Sequence, residues 1–148
     1  MAGSGGFGSD LVWLSVLVQR RYAQICADHG LTPVQATVLC AIKDHPWCMG
    51  ELAQELGMAK NALSGLVDRM ERRGLVRRGA LQRDRRAVVL SPTPLGKQIV
   101  DALYADVVEH VPDIAGALPA DERDRLADSV ARITASAHLT APAPRAKA

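Results

Sequence analysis

One stretch constrains this chain more than any other: LGMAKNALSGLVDRMERRGLVRRGALQRDRRAVVL, from Leu56 to Leu90. Within it Leu63, Leu66, Val67 and Met70 recur at helical spacing, which predicts a helix from Ala59 to Arg73 with one buried face. Gly57 separates this helix from the one before it and Gly74 stops it, because glycine enters the left-handed region without steric cost. Two β-prone pieces follow, Leu75-Val76 and Ala87 to Leu90, and the basic loop Arg83-Asp84-Arg85-Arg86 lies between them.

Helix, tight turn, helix and an arginine-tipped hairpin is the layout of a winged helix-turn-helix. Such a module sets one helix in a DNA major groove and a loop in the adjacent minor groove. Charge supports the same reading without reference to pattern. From Leu56 to Lys97 the bases are Lys60, Arg69, Arg72, Arg73, Arg77, Arg78, Arg83, Arg85, Arg86 and Lys97, against the acids Asp68, Glu71 and Asp84. The whole-chain charge of +2 therefore hides a strongly basic module beside an acidic remainder. Clustered positive charge suits a polyphosphate partner, because neutralising phosphates releases condensed counterions.

At 148 residues the chain is read as one domain. Apolar residues make up 48% but aromatics only 3%, so the core is expected to be aliphatic and mostly helical. Residues 1–9 are Gly-rich and 141–148 Pro/Ala-rich, and both are expected to be disordered tails around a domain at 10–140. The longest apolar run, Leu11 to Val18, is too short to span a bilayer and has no basic segment before it. A soluble, cytoplasmic protein without a membrane partner is the expectation. Cys26, Cys40 and Cys48 are odd in number and unpatterned, which argues against a disulfide framework.

Outside the basic strip the chain reads as helices. Asp10 can cap a first helix running to about His29, with Leu11, Leu14, Val18 and Ile25 on one stripe and Trp13 and Leu17 widening it. Thr32-Pro33-Val34-Gln35 offers a hydroxyl cap, a proline at the first helical position and a glutamine at the third, and the helix it opens should bury Val34, Val38, Leu39 and Ile42. A short extended piece around Trp47-Cys48-Met49 leads to a helix from Glu51 to Leu56. Thr93-Pro94 starts another helix through Leu95, Ile99, Leu103 and Val107, and a last one runs from Pro119 to about His138. A winged lobe at 31–92 needs about three helices to cover its core. The helices at 10–30 and 94–139 are therefore assigned to dimerisation, with Leu11, Leu14, Val18, Leu126, Val130 and Ile133 as candidate interface residues.

Leu31-Thr32-Pro33-Val34-Gln35, Glu51-Leu52-Ala53 with Leu56-Gly57, Leu66 through Val76, Asp84-Arg85-Arg86 and Thr93-Pro94-Leu95-Gly96 stand in an order and spacing that resembles the MarR family of bacterial transcription regulators, over roughly Leu31 to Leu103. That resemblance implies a mainly α fold with a small β-wing, a homodimer on a pseudo-palindromic operator, and repression relieved by a small-molecule effector. It also implies that Arg86 is the wing arginine and Asp84 the acid that braces it. Two residues apart on an extended segment, their side chains share a side and can pair.

On the helix after the turn, the face opposite the apolar stripe offers Ala59, Lys60, Asn61, Ala62, Ser64, Gly65 and Arg69 to DNA. Asparagine can bond adenine bidentately, lysine can donate to guanine, and serine can contact a base or a phosphate. Asn61 and Ser64 also fit helix-start capping, an alternative the sequence leaves open. The resemblance implies a larger residue where Gly65 stands, so one base contact is expected to be missing. An arginine suits the negative potential of a narrow minor groove, so Arg86 is aimed there, while Arg83 and Arg85 face phosphate.

Two other functions stay open: a thiol-based redox sensor, and a winged helix used as a protein-interaction module. Cys40, among Val38, Leu39, Ala41 and Ile42, reads as a buried structural thiol, while Cys26 and His29 have metal-compatible spacing but make only two ligands. No Gly-rich phosphate loop, HExxH or GxSxG occurs, so neither an enzyme nor a cofactor or metal site is expected.

Overall fold

The computed structural model describes residues 5–80 and 87–137. Helix α1 (Gly6–Asp28) leads to α2 (Pro33–Ile42), strand β1 (Trp47–Cys48), α3 (Met49–Glu55) and α4 (Lys60–Arg72). Strands β2 (Val76–Ala80) and β3 (Val88–Pro92) follow, then α5 (Pro94–His110), a 3-10 turn (Val111–Ala115) and α6 (Ala120–Ser136). The strands form one antiparallel sheet in the order β1-β3-β2, with Trp47 opposite Leu90 and Arg78 opposite Leu90 on the other side.

Local chemistry sets most of the boundaries. The Thr32 hydroxyl accepts from the Gln35 amide while the Gln35 side chain accepts from the Thr32 amide, a complete capping box. Thr93 caps α5 by accepting from the Gly96 amide. Gly57 and Gly74 take positive φ, and the Leu75 amide donates back to Met70 O, closing α4 and aiming the chain into β2.

One apolar core fills the space between these elements. Leu39, Ile42, Leu52, Leu63, Met70, Leu75, Leu90 and Leu103 are all fully buried. The apolar face predicted for α4 is buried at all four positions. Elsewhere the stripe read from the sequence is offset. Val34 is 47% exposed and Leu95 48% exposed, and α2 and α5 bury Gln35, Ala36 and Val100 instead. Both misplaced residues sit in the first turn of a helix whose cap anchors it at the edge of the core.

The first helix begins at Gly6, inside the segment expected to be tail, and Asp10 lies within it rather than capping it. Extension past Asp10 is cheap once a helix exists, since each added residue gains a hydrogen bond without a new nucleus. Of the α1 stripe only Ile25 is buried, joined by Cys26. The strand boundaries also move, because the pairing of β2 with β3 extends the hairpin beyond the apolar residues that marked it. Among the described residues no single helix is long and apolar enough to cross a membrane.

Candidate nucleic-acid interface

The Leu56-Gly57-Met58-Ala59 turn joins α3 to α4, with the Met58 amide bonded to Ala53 O. With Leu63, Leu66, Val67 and Met70 facing the core, Lys60, Asn61, Ala62, Ser64 and Arg69 are left exposed on the outer face of α4, and Gly65 is half-buried. The helix cap is Ala59, which offers no side-chain bond, so Asn61 and Ser64 are not capping residues. Among the described residues Asn61 has no side-chain hydrogen-bond partner. No acid stands in the first turn, and its open amides and positive dipole end suit a phosphate. Lys60 lies against Gly50 at the start of α3, so both helices border one shallow groove of about 450 Å³. Cys48, Asn61, Ser64, Arg78 and Val88 are among its other lining residues.

The bases of the strip divide into two sets. Arg73 donates to Gln35 Oε1 at 3.3 Å, tying the end of α4 to the cap of α2. Arg78 on β2 turns inward onto α4, with Nη2 2.7 Å from Asp68 Oδ1 and Nη1 3.2 Å from Glu71 Oε1. Its Nη2 also donates to Ser64 O at 3.2 Å, and its amide donates to Glu71 Oε2 at 3.1 Å. Lys60, Arg69, Arg77 and Lys97 stay exposed. In the sequence Arg78 is only one base among the ten between Leu56 and Lys97. The signal for its partners was present: Ser64, Asp68 and Glu71 lie at i, i+4 and i+7, one helix face holding two of the strip's acids. The wing residues Arg83, Asp84, Arg85 and Arg86 lie outside the described residues.

The thiols correct the sequence reading. Cys26 is the fully buried one, whereas Cys40 is half-buried, since α2 turns it toward its own flank. Burial pushes both thiols above their ordinary range, with Lys43 partly opposing the effect at Cys40. Tyr22 beside them is raised too, chiefly by burial and then by Cys26. Neither environment is that of a reactive thiolate. Of the Cys26 and His29 pair, Cys26 is buried in the core and the His29 ring pairs with Asp106 Oδ2 at 2.6 Å. Asp106, Glu109 and His110 carry ligand-type atoms within 4.8 Å of one another on α5, with Glu109 exposed and the other two half-buried, beside the Arg21–Asp113 ion pair.

The candidate interface residues face outward in the single chain. Leu11, Leu14, Leu126, Val130 and Ile133 are 37–62% exposed and Val18 is half-buried. No residue of α6 is buried.

A helix with an exposed polar face, a turn before it and an adjoining β-hairpin define the class: this is a winged helix-turn-helix protein. A family model described as MarR family matches residues 29–87. The HTH-type transcriptional repressor NicR of Pseudomonas putida is 31% identical over 103 residues, 69% of this chain and 65% of NicR. The uncharacterised HTH-type regulator YfiV of Bacillus subtilis is 34% identical over 71 residues, 47% of this chain and 44% of YfiV. The matched stretch thus spans between two-fifths and two-thirds of these relatives. Among solved structures, apo MarR from E. coli superposes with a TM-score of 0.78 over 86% of this chain and 95% of its own, and its 23% identity speaks for the fold alone. The transcriptional repressor CouR, solved bound to a 23-mer DNA duplex, is 28% identical with a TM-score of 0.70, covering 86% and 92%. The chain belongs to the MarR family.

Proposed function

We propose that this chain is a sequence-specific regulator of transcription that binds double-stranded DNA as a homodimer, most simply a repressor on a pseudo-palindromic operator. The observation that carries the reading is α4, a helix anchored by four buried apolar residues that offers Lys60, Asn61 and Ser64 from an uncapped N-terminal end. The repressor CouR, similar in fold and bound to a DNA duplex, supports it. In this reading α4 enters the major groove, Asn61 and Ser64 contact base edges, and Lys60 with the helix N-terminus holds phosphate. By the family resemblance, Arg83, Asp84, Arg85 and Arg86 are the residues assigned to the flanking minor groove in this reading.

Self-association is the part the exposed stripe supports. Helices in proteins draw most of their stability from packing an amphipathic face, and no residue of α6 is buried within its own chain. Residues 10–30 and 94–139 serve as the dimer helices in this proposal and 31–92 as the DNA lobe. Release by a small-molecule effector and action in the cytoplasm rest on the family resemblance. The raised pKa values of Cys26 and Cys40 disfavour those two thiols as a sensor, and the basic face gives a pure protein-interaction module no purpose.

The test is selection of bound duplexes from random DNA at two salt concentrations. With about four phosphates neutralised per lobe, log K should fall against log salt with a slope near −7. No enriched sequence, or a slope shallower than about −2, refutes the proposal.

A further inference from the structure

We propose that Arg78 is a positioning residue for DNA recognition, locking the root of the wing to α4 and orienting Ser64, and is not a phosphate contact. This rests on the DNA-binding reading above.

Three features of the geometry carry it. Both arms of the guanidinium are engaged on α4, at Asp68, Glu71 and Ser64 O, and the Arg78 amide is held by the same Glu71. Two carboxylates pair with the one guanidinium, so its charge is already compensated and it is not a free cation for a phosphate. The Ser64 hydroxyl oxygen lies 3.5 Å from Nη2, so its lone pairs face a cation and its hydrogen is directed away. A serine held this way presents a donor. Its partners are then acceptors, such as purine N7, guanine O6, thymine O4 or a phosphate oxygen, rather than base amino groups.

The acids are about half exposed, so solvent screens the cluster and it adds little to global stability. Its effect is geometric. A wing free to swing at its root must be ordered when both grooves are engaged, and a wing already fixed to α4 avoids that loss.

The full-length protein is compared with Arg78→Lys, Arg78→Gln and the double variant Asp68→Ala with Glu71→Ala. Without DNA, all three variants should speed amide exchange in β2 and β3 while the melting temperature scarcely moves. On the selected site each should weaken binding by about two- to thirtyfold and lose wing protection in hydroxyl-radical footprints. The salt slope should stay that of the wild type. Arg78→Lys is decisive because lysine keeps a phosphate contact but not the two-armed fork. Wild-type affinity in Arg78→Lys overturns the proposal. So does a slope shallower by about 2 per dimer in Arg78→Gln, or tighter binding by the double variant, as loss of negative charge alone would give. Unchanged amide exchange refutes the lock itself. A wild type that binds no duplex refutes the DNA reading and with it this role, while exchange still reports whether the lock exists.

Discussion

Gly96 lies in the first turn of α5, three residues past its Thr93 cap, where the helix backbone presses on the start of the wing. A methyl group there would overlap the carbonyl oxygen of Leu75, lie 2.9 Å from its carbonyl carbon and meet Leu39 Cδ2 at 3.3 Å. The obstacle cannot swing aside. Leu75 O accepts from the Thr93 amide at 3.1 Å and the Leu75 amide is bonded to Met70 O. Relief requires α5 to lift, which loosens Val100 and Leu103, both buried in the core. Gly96→Ala should therefore cost about 3 kcal/mol in overpacking, offset by about 1 kcal/mol of helix propensity. The net of about 2 kcal/mol corresponds to a melting temperature lower by roughly 4–8 °C. Gly65→Ala is the matched control, mid-helix in α4 with only Arg69 Nη1, 3.9 Å away, near the added methyl. It gains the same propensity without the clash and should melt roughly 2–4 °C higher. Calorimetry at equal protein concentration measures both, since a dimer's melting depends on concentration. If Gly96→Ala melts at or above wild type, the close approach of α5 to Leu75 is wrong.

Leu126→Asp with Val130→Asp touches nothing buried within the chain, so sedimentation should show a monomer with helical content retained; a dimer would place the interface elsewhere. Because burial raises Cys26 and Cys40, both stay protonated at neutral pH and should alkylate more slowly than in the urea-unfolded protein, catching up only as pH rises past their elevated range. Native Cys26 reacting at the unfolded rate would contradict its burial. Asp84→Ala should weaken operator binding in a mobility-shift titration although it removes a negative charge, if Asp84 braces Arg86. Tighter binding would make the loop a plain basic tether.

Features set by neighbours in sequence were legible in the sequence itself. Thr32 with Gln35, Thr93 with Pro94, and Gly57 and Gly74 act over a few residues, so these caps and breaks stand within a residue or two of where they were expected, whereas the Asp10 cap does not. The buried face of α4 was equally clear, because one strong stripe leaves one way to dock. Val34, Leu95 and the α1 stripe were not, since periodicity identifies an apolar face without naming the surface that covers it. Which thiol is buried turned on how α1 and α2 pack, a matter no spacing records. Arg78 shows the limit most plainly. It meets Ser64, fourteen residues away, only because the turn at Gly74 and the β2–β3 register fold the hairpin root back onto α4. In sequence it is one arginine among several, and only the tertiary structure makes it a clamp, because an ion pair forms where chain segments converge and not where charges accumulate.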